Sequence, residues 1–218
     1  MLEEKLQRHI ILLMTRYPVL QSVRQEIIDA YLIMENCFAH DGKLLIAGNG
    51  GSAADSEHIA GELMKRFLIP RPVNSDFAIK LKEVDSIRGT VLAESLECSL
   101  MAIPLVTHEA LSTAYMNDVG GPGVFAQQLF GFGRGGDVFL GISTSGNSEN
   151  VINAAVVARA LGMKVIGLTG AGGGELAALA DVVVKVPEKE TYMIQELHLP
   201  IYHSWCMMLE DRFFGHEK

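Results

Sequence analysis

Short apolar runs alternate along this chain with longer segments whose apolar residues follow a helical period. The runs lie at 43–47, 137–142, 164–168 and 181–186, and the helical patterns at 53–67, 150–161 and 175–180. Repeated alternation of strand and helix predicts parallel strands joined by right-handed crossovers. Because the runs are apolar throughout, we expect both faces of the sheet to be covered. The pattern predicts an α/β fold, a three-layer α/β/α sandwich.

Helical patterns also occupy both ends of the chain. The first forty residues look helical, with the apolar residues of 23–38 on one stripe. The C-terminal stretch 192–213 is a further helical region, which we expect Pro200 to interrupt. We see no internal repeat and no low-complexity linker. We therefore expect residues 1–218 to form one domain, with helices over 1–42 in front of the sheet.

The segment 68–104 is the hardest part of the chain to assign. It contains two prolines, a mixed charged stretch at 80–88 and an apolar stretch at 100–105. We predict that one strand of the sheet lies near the end of this segment.

Charge and composition exclude several classes of protein. The 218 residues include 18 Lys and Arg against 26 Asp and Glu, a net charge of −8. A nucleic-acid-binding protein needs a basic face to neutralise phosphates, so we expect no nucleic-acid partner. The three cysteines lie far apart, which is typical of a reducing compartment. An acidic N-terminus and the lack of any apolar run near ~18 residues predict a soluble, cytoplasmic protein that does not bind a membrane.

Three polar or glycine-rich loops follow predicted strands, at 48–52, 143–148 and 169–174. In an open parallel sheet, ligands bind at the carboxyl ends of the strands, near the point where strand order reverses. The second loop, STSGNS, brings four hydroxyls and an amide to a helix N-terminus, whose N–H groups carry positive partial charge. An ordinary helix cap with a turn needs only one or two of these residues. We therefore interpret this loop as a phosphate site.

The first loop has two interpretations. Gly48-x-Gly50-x-x-Ala53 matches the loose dinucleotide fingerprint, but the acidic residue expected about 20 positions later is not evident. Alternatively, the loop is the second wall of one sugar-phosphate pocket. Its glycines would let the backbone approach the substrate, and Asn49 and Ser52 would hydrogen-bond it. We assign no role to the third loop.

A possible acid/base or metal site follows on the next helix. His58 and Glu62 lie four residues apart and so share one face of that helix. Such a pair can bind a metal or move protons, although a surface hydrogen bond is the simpler interpretation. The C-terminal segment QELH (195–198), followed by His203, is a second cluster of possible ligands and favours a shared site.

That shared site meets a geometric difficulty. Gln195 and His203 are eight residues apart, about 12 Å along a continuous helix. Both could reach one ion only if the helix starts or kinks at Pro200, or if one ligand comes from another chain.

Taken together, these residues resemble the bacterial phosphoheptose isomerases, members of the sugar isomerase (SIS) domain superfamily. The matching blocks are AGNGGSAADSEHIAGEL (47–63), GRGGDVFLGISTSGNSENVINAA (133–155), GMKVIGLTG (162–170) and IQELHLPIYH (194–203). The resemblance implies a flavodoxin-like sandwich of five parallel strands. It also implies a homotetramer with active sites between subunits.

The resemblance further implies an aldose–ketose isomerisation, from sedoheptulose 7-phosphate to D-glycero-D-manno-heptose 7-phosphate, at the entry to lipopolysaccharide heptose synthesis. Glu62 is the implied base and His203 its acid/base partner in an enediol(ate) mechanism. A divalent metal, usually zinc, would polarise the carbonyl. The implied metal ligands are His58, Glu62, Gln195 and His203. The implied substrate contacts are Asn49, Gly50, Gly51, Asn117, Asp118, Ser143, Thr144, Ser145 and Ser148, with His58, Glu62 and Gln195 also facing the sugar.

The chain departs from the family pattern in two places. Segment 68–104 is longer than its family counterpart, and Pro200 could shift His203 relative to Gln195. Either departure could change the phosphosugar that is used.

Three other functions compete with this one. A non-catalytic SIS tetramer that binds a replication initiator is disfavoured, because Glu62 and His203 are both present. A phosphosugar-sensing regulator would usually carry a DNA-binding module, for which the chain leaves no room. A nucleotide-dependent oxidoreductase lacks the ribose-binding acid.

Overall fold

A computed structural model describes residues 2–215 and shows one five-stranded sheet. The strands are β1 (Leu44–Gly48), β2 (Ala102–Pro104), β3 (Val138–Ile142), β4 (Lys164–Thr169) and β5 (Val182–Lys185). Every neighbouring pair is parallel, in the order β2-β1-β3-β4-β5. The predicted parallel sheet is confirmed, including the strand expected near the end of segment 68–104.

Ten α-helices are present within residues 2–215. They are α1 (Glu4–Arg16), α2 (Arg24–Ala39), α3 (Gly51–Met64), α4 (Ser75–Val84), α5 (Ser86–Ser95), α6 (Glu109–Asp118), α7 (Val124–Phe132), α8 (Glu149–Ala160), α9 (Leu176–Leu179) and α10 (Thr191–Phe214). The helical region predicted at 175–180 is a single turn, α9.

Two apolar cores cover the two faces of the sheet. On one face, Leu44 and Ile46 of β1 pack with residues of α1, α2, α3 and α10. On the other face, Leu45 and Ala47 of the same strand pack with residues of α7, α8 and α9. Successive side chains of a strand point to opposite faces, which is why an uninterrupted apolar run supplies both cores. The three-layer α/β/α sandwich is confirmed.

The strand order places two of the loops at one point of the sheet. The chain passes from β1 outward to β2, and then crosses back to β3 on the other side of β1. The order therefore reverses between β1 and β3, where open α/β sheets bind their ligands. The loops at 48–52 and 143–148 both leave the sheet at this point.

The segment that was hardest to assign folds largely as a helical hairpin. Helices α4 and α5 pack on each other, and Gly89 lets α5 approach the backbone of Leu81 closely. Asn74 caps α4, and Asp85 caps α5. Gly89 is the one buried residue of the two helices, so the hairpin adds almost nothing to either core.

The predicted interruption at Pro200 is wrong, because α10 runs through it from Thr191 to Phe214. A proline removes one backbone hydrogen bond. Here residues on both sides of it are buried, among them His198, Ile201 and Trp205. The Trp205 indole N–H also donates to the Ile27 carbonyl of α2 at 2.9 Å. Packing against the core therefore holds the helix together across the proline.

Candidate active site

A cleft of about 300 Å³ lies where the first two loops leave the sheet. Its lining residues come from those loops, from the end of β3, from the first turn of α3 and from the first two turns of α10. They are Asn49, Gly50, Gly51, Ser52, Ile142, Ser143, Thr144, Ser148, Thr191 and Gln195. The described lining contains no Lys or Arg, so an anion held here would depend on N–H and hydroxyl groups.

Three helices begin beside this cleft, and none of them has a side-chain cap. Gly50 precedes α3, Ser148 precedes α8 and Glu190 precedes α10, in each case without a capping hydrogen bond. The first-turn N–H groups of a helix have no partner within the helix and carry positive partial charge. Three such ends around one cleft favour a phosphate, as was predicted for the second loop.

The hydroxyls of the second loop divide into two groups. Ser143 is buried, and its Oγ lies 2.9 Å from Ser148 Oγ and accepts from the Gly146 N–H at 3.1 Å. Ser145 is exposed and accepts from the Asn147 N–H at 3.1 Å, away from the lining. Ser143, Thr144 and Ser148 therefore face the cleft, whereas Ser145 stabilises the turn.

An amide pair joins the first loop to the second. Asn49 and Asn150 exchange two hydrogen bonds, each 2.9 Å long, between their side chains. Asn49 was predicted as a substrate contact, and Asn150 was not singled out. The position of Asn150 in the first turn of α8 was the one sequence signal that could have identified it.

The third loop, to which no role was assigned, supports the second. The Gly170 N–H donates to the Thr144 carbonyl at 2.9 Å, and the Glu175 N–H donates to Asn147 Oδ1 at 3.0 Å. Gly173 and Gly174 pack against the backbone of Gly146, where no Cβ would fit. The glycine run at 172–174 was the sequence signal for this close approach.

Three of the predicted reactive side chains meet where α3 packs on α10. His58 Nε2 lies 3.3 Å from Glu62 Oε1 and 3.5 Å from His203 Nε2. Glu62 and His203 come from different helices, so their convergence on His58 depends on the tertiary structure. The structure thus brings together an imidazole pair and a carboxylate, as the sequence predicted.

Local electrostatics differ among these groups. Burial, and then the neighbouring His58, lower the pKa of His203 despite the opposing effect of Glu62. The second oxygen of Glu62 pairs with Lys65 Nζ at 3.0 Å. His198, the other histidine of the QELH segment, is fully buried, and burial lowers its pKa to about 4. His198 therefore stays neutral in the core.

His58, Glu62 and His203 could serve as donors to a metal ion. Within residues 2–215, no group of three His, Cys, Asp or Glu side chains is already arranged to hold an ion. The residues do fit one in kind, because two histidine nitrogens and a carboxylate oxygen form a ligand set that catalytic zinc uses. Such a site keeps one position open for substrate or water.

Gln195 does not join the other three predicted metal ligands. Because α10 is continuous, Gln195 and His203 remain about 12 Å apart along it. Gln195 instead lies against Gly51, where an added Cβ would sit 2.6 Å from its Nε2 atom. Within one chain, Gln195 therefore lines the cleft.

Asn117 and Asp118 lie apart from the cleft. Both are exposed at the C-terminal end of α6, and the Asn117 side chain donates to Asp118 at 2.9 Å. Neither residue is among those that line the cleft.

Comparison with known proteins identifies the family. The sequence model of the SIS domain matches residues 14–102 and 92–170. A phosphoheptose isomerase of Aneurinibacillus thermoaerophilus is 41% identical over 177 residues, which are 81% of this chain and 76% of that protein. The chain belongs to the phosphoheptose isomerase family of SIS-domain proteins. A phosphoheptose isomerase of Akkermansia muciniphila is 33% identical over 214 residues, covering 98% of this chain and 100% of its own.

Solved structures agree with this assignment. A phosphoheptose isomerase from Neisseria gonorrhoeae superimposes with a TM-score of 0.72 at 33% identity, covering 95% of this chain and 98% of its own. One from Francisella tularensis gives 0.74 at 30% identity, covering 90% and 91%. The resemblance read from the four sequence blocks is confirmed, and with it membership of a family of phosphosugar isomerases.

Proposed function

We propose that this chain isomerises sedoheptulose 7-phosphate to D-glycero-D-manno-heptose 7-phosphate. One observation carries the proposal: the cleft and the three reactive side chains lie along a single helix–helix contact. Gly51 faces Gln195 at the cleft, and seven residues further along each helix His58 faces Tyr202. A substrate lying along this contact would place its phosphate in the cleft and its carbonyl end near Glu62.

The spacing supports a seven-carbon substrate. Seven helical residues advance about 10 Å. In an extended heptulose 7-phosphate, seven bonds join C2 to phosphorus. Each bond of ~1.5 Å advances roughly 1.25 Å along the chain, so the distance from C2 to phosphorus is about 9 Å. A pentulose 5-phosphate has two bonds fewer and would be about 6 Å long by the same rule. The longer sugar fits the distance between the two ends of the site.

In this mechanism, Glu62 and His203 transfer protons, and the residues of the cleft bind the phosphate. The Glu62 carboxylate takes a proton from the carbon next to the carbonyl and returns it to the neighbouring carbon. His203 moves the proton between the two oxygens of the enediol. Ser143, Thr144, Ser148 and the uncapped helix ends bind the phosphate and so align the reacting carbons. The amide pair Asn49–Asn150 holds the two walls of the cleft together.

We also propose that His58, Glu62 and His203 hold a divalent metal, zinc by preference. Each would bind the ion through one atom, which leaves the second carboxylate oxygen of Glu62 and the second ring nitrogen of His203 for the proton transfers. When bound, such an ion would polarise the substrate carbonyl and stabilise negative charge on its oxygens. Three protein ligands suffice for a catalytic zinc site, which agrees with the separation of Gln195 from this group.

A homotetramer is proposed as well, and an apolar surface beside the site supports self-association. A cavity of about 310 Å³ between α1 and α10 is lined by Leu12, Phe67 and Leu199 and reaches His203. Ile11 of α1 is 60% exposed and Leu12 49% exposed. Exposed apolar patches of this kind mark protein–protein contacts. Light scattering on the purified protein would give four times the monomer mass, and a monomer or dimer would contradict the proposal.

The isomerase proposal is tested by turnover of sedoheptulose 7-phosphate with added Zn²⁺ in three proteins. These are the wild type, Glu62→Gln and the matched control Glu57→Gln, which alters an exposed carboxylate on the same helix. We expect Glu62→Gln to lose at least about a hundredfold in kcat, since general bases contribute 10²–10⁴-fold. Glu57→Gln should behave as the wild type.

Running the reaction in D₂O adds a second readout. The wild type should incorporate solvent deuterium at the carbon that receives the proton, because the proton held by Glu62 exchanges with the solvent before it is returned. Glu62→Gln should not incorporate it. Full activity in Glu62→Gln would exclude Glu62 as the base. A folded wild type that binds the phosphosugar without turnover would contradict the proposed reaction.

A further inference from the structure

Tyr202 of α10 connects two residues of α3 through its hydroxyl. The side chain is 1% exposed, and its Oη lies 3.1 Å from His58 Nδ1 and 3.1 Å from Asp55 Oδ1. Asp55 and His58 are three residues apart and share one face of α3. A buried phenol is therefore bonded on one side to a carboxylate and on the other to the central histidine of the site.

With Asp55 ionised, the chemistry of these groups sets the direction of both hydrogen bonds, although burial raises the pKa of that carboxyl. An ionised carboxylate can only accept, and a phenol has a single proton to give. The Tyr202 proton therefore goes to Asp55, and the Tyr202 oxygen is left to accept from His58. His58 must then carry its proton on Nδ1. Its Nε2 atom keeps a free lone pair, and Nε2 is the atom that lies beside Glu62 and His203.

We propose that Tyr202 is a positioning residue that holds His58 in the Nδ1–H tautomer, with Nε2 free to bind a metal or to accept a proton. The inference rests on the proposed function only for the use made of Nε2. The Tyr202 ring also crosses the His58 ring at 74° and the His203 ring at 86°, with centroids 5.5 Å and 5.0 Å apart. One side chain thus orients both histidines of the site.

The cost of burying Asp55 argues against a purely structural role. Asp55 Oδ2 is buried and has no hydrogen-bond partner among the described residues. A buried, unsatisfied carboxylate oxygen destabilises a fold. An apolar residue would fill this place at less cost, unless a fixed proton acceptor is needed behind Tyr202.

The test compares Tyr202→Phe with the wild type and with Tyr31→Phe. The control removes the hydroxyl of another fully buried tyrosine, on α2. The tautomer of His58 is read from its ¹⁵N chemical shifts in the metal-free protein, with the signal assigned by its loss in His58→Gln. Zn²⁺ affinity is measured by competition with a chromophoric chelator, without substrate.

We expect a single Nδ1–H tautomer in the wild type and in Tyr31→Phe, and a tautomer mixture in Tyr202→Phe. Zn²⁺ affinity should fall 10- to 100-fold in Tyr202→Phe, as is typical when the partner of a metal-binding histidine is removed. An unchanged tautomer together with Zn²⁺ affinity within twofold of the wild type would overturn the proposal. If circular dichroism shows that Tyr202→Phe does not fold, the ¹⁵N spectrum of the wild type decides. An Nδ1–H tautomer of His58 supports the proposal, and an Nε2–H tautomer overturns it. Both readouts are independent of turnover, so failure of the isomerase proposal would be recognised separately.

Discussion

Arg71 and Glu210 form an ion pair that is almost completely buried. Arg71 Nη2 lies 2.8 Å from Glu210 Oε1, and each residue is 1% exposed. The same carboxylate accepts from the backbone N–H groups of Phe67 and Leu68, each at 2.7 Å. Glu210 of α10 therefore fixes the segment that leaves α3, the helix that carries the proposed base.

Removing the charge of Glu210 should destabilise the whole protein. In Glu210→Gln the side chain keeps its shape, but the Arg71 guanidinium is left in the core without a counter-charge. Breaking a buried pair in this way costs about 3–5 kcal/mol. Urea unfolding measures the loss, and Arg88→Ala is the control, because its ion pair with Asp85 is exposed and contributes at most about 1 kcal/mol. Equal losses in the two variants would contradict this assignment.

The second loop gives a prediction that separates two of its serines. Ser148 lines the cleft, whereas Ser145 is bonded within the turn. A hydrogen bond to a charged group contributes about 1.5–3 kcal/mol, so Ser148→Ala should weaken phosphosugar binding roughly tenfold or more. Ser145→Ala should change it less than about twofold. Calorimetric titration with the sugar phosphate checks both values, and a larger effect at Ser145 would favour the contact that the family resemblance implies.

The fold could largely be predicted, because strands that are buried on both faces are apolar at nearly every position. Residues 138–142 and 164–169 are apolar almost throughout, so the continuous apolar runs alone located β3 and β4. β2 has three residues and ends in Pro104, which only an edge strand accepts, and its signal was correspondingly weak. Helices α4 and α5 bury only Gly89, so no core-facing stripe marked them in the sequence.

The site was predictable where its residues are local in sequence. The loop STSGNS and the pair His58–Glu62 could be read directly, because their spacing already implies one helix end or one helix face. The support of Gly146 by the third loop and the link from Tyr202 to Asp55 join distant segments, so only the tertiary structure shows them. Packing also decided the outcome at Pro200, where backbone chemistry alone predicted a break.

Asp211 should make stability depend on pH in the acid range. It accepts hydrogen bonds from Arg8 at 2.5 Å and His9 at 2.7 Å, which tie α1 to α10. Burial tends to raise the pKa of Asp211, but these two partners outweigh burial, and the pKa is lowered. A lowered folded-state pKa means that the stabilisation is complete above the unfolded value near 3.9 and is lost as pH falls through the folded value.

Asp211→Asn should therefore lower the free energy of unfolding at pH 7, by about 1.5–3 kcal/mol for hydrogen bonds to a charged group. The difference from the wild type should shrink as the pH falls below 4. Denaturant unfolding at several pH values measures it, with the exposed Asp76→Asn as the matched control. A difference that stays constant down to pH 2 would show that the charge of Asp211 is not responsible.

The α4–α5 hairpin should be dispensable for folding of the remaining chain. Pro72 and Glu97 form an antiparallel bridge at its base, and the Cys98 N–H donates to the Arg71 carbonyl at 2.7 Å. The segments that flank the hairpin are thus held together by contacts of their own. The hairpin also exposes large apolar side chains, including Val84 at 88% and Ile87 at 78%.

Replacing residues 74–95 by Asn-Gly, which favours a tight turn, should leave the free energy of unfolding within about 1 kcal/mol of the wild type, since no large core side chain is removed. Zn²⁺ affinity should also be unchanged, because the proposed ligands lie outside the hairpin. Thermal unfolding and chelator competition measure the two quantities. Failure to fold would show that the hairpin is needed for the fold. A folded variant with lower Zn²⁺ affinity would show that the hairpin supports the site.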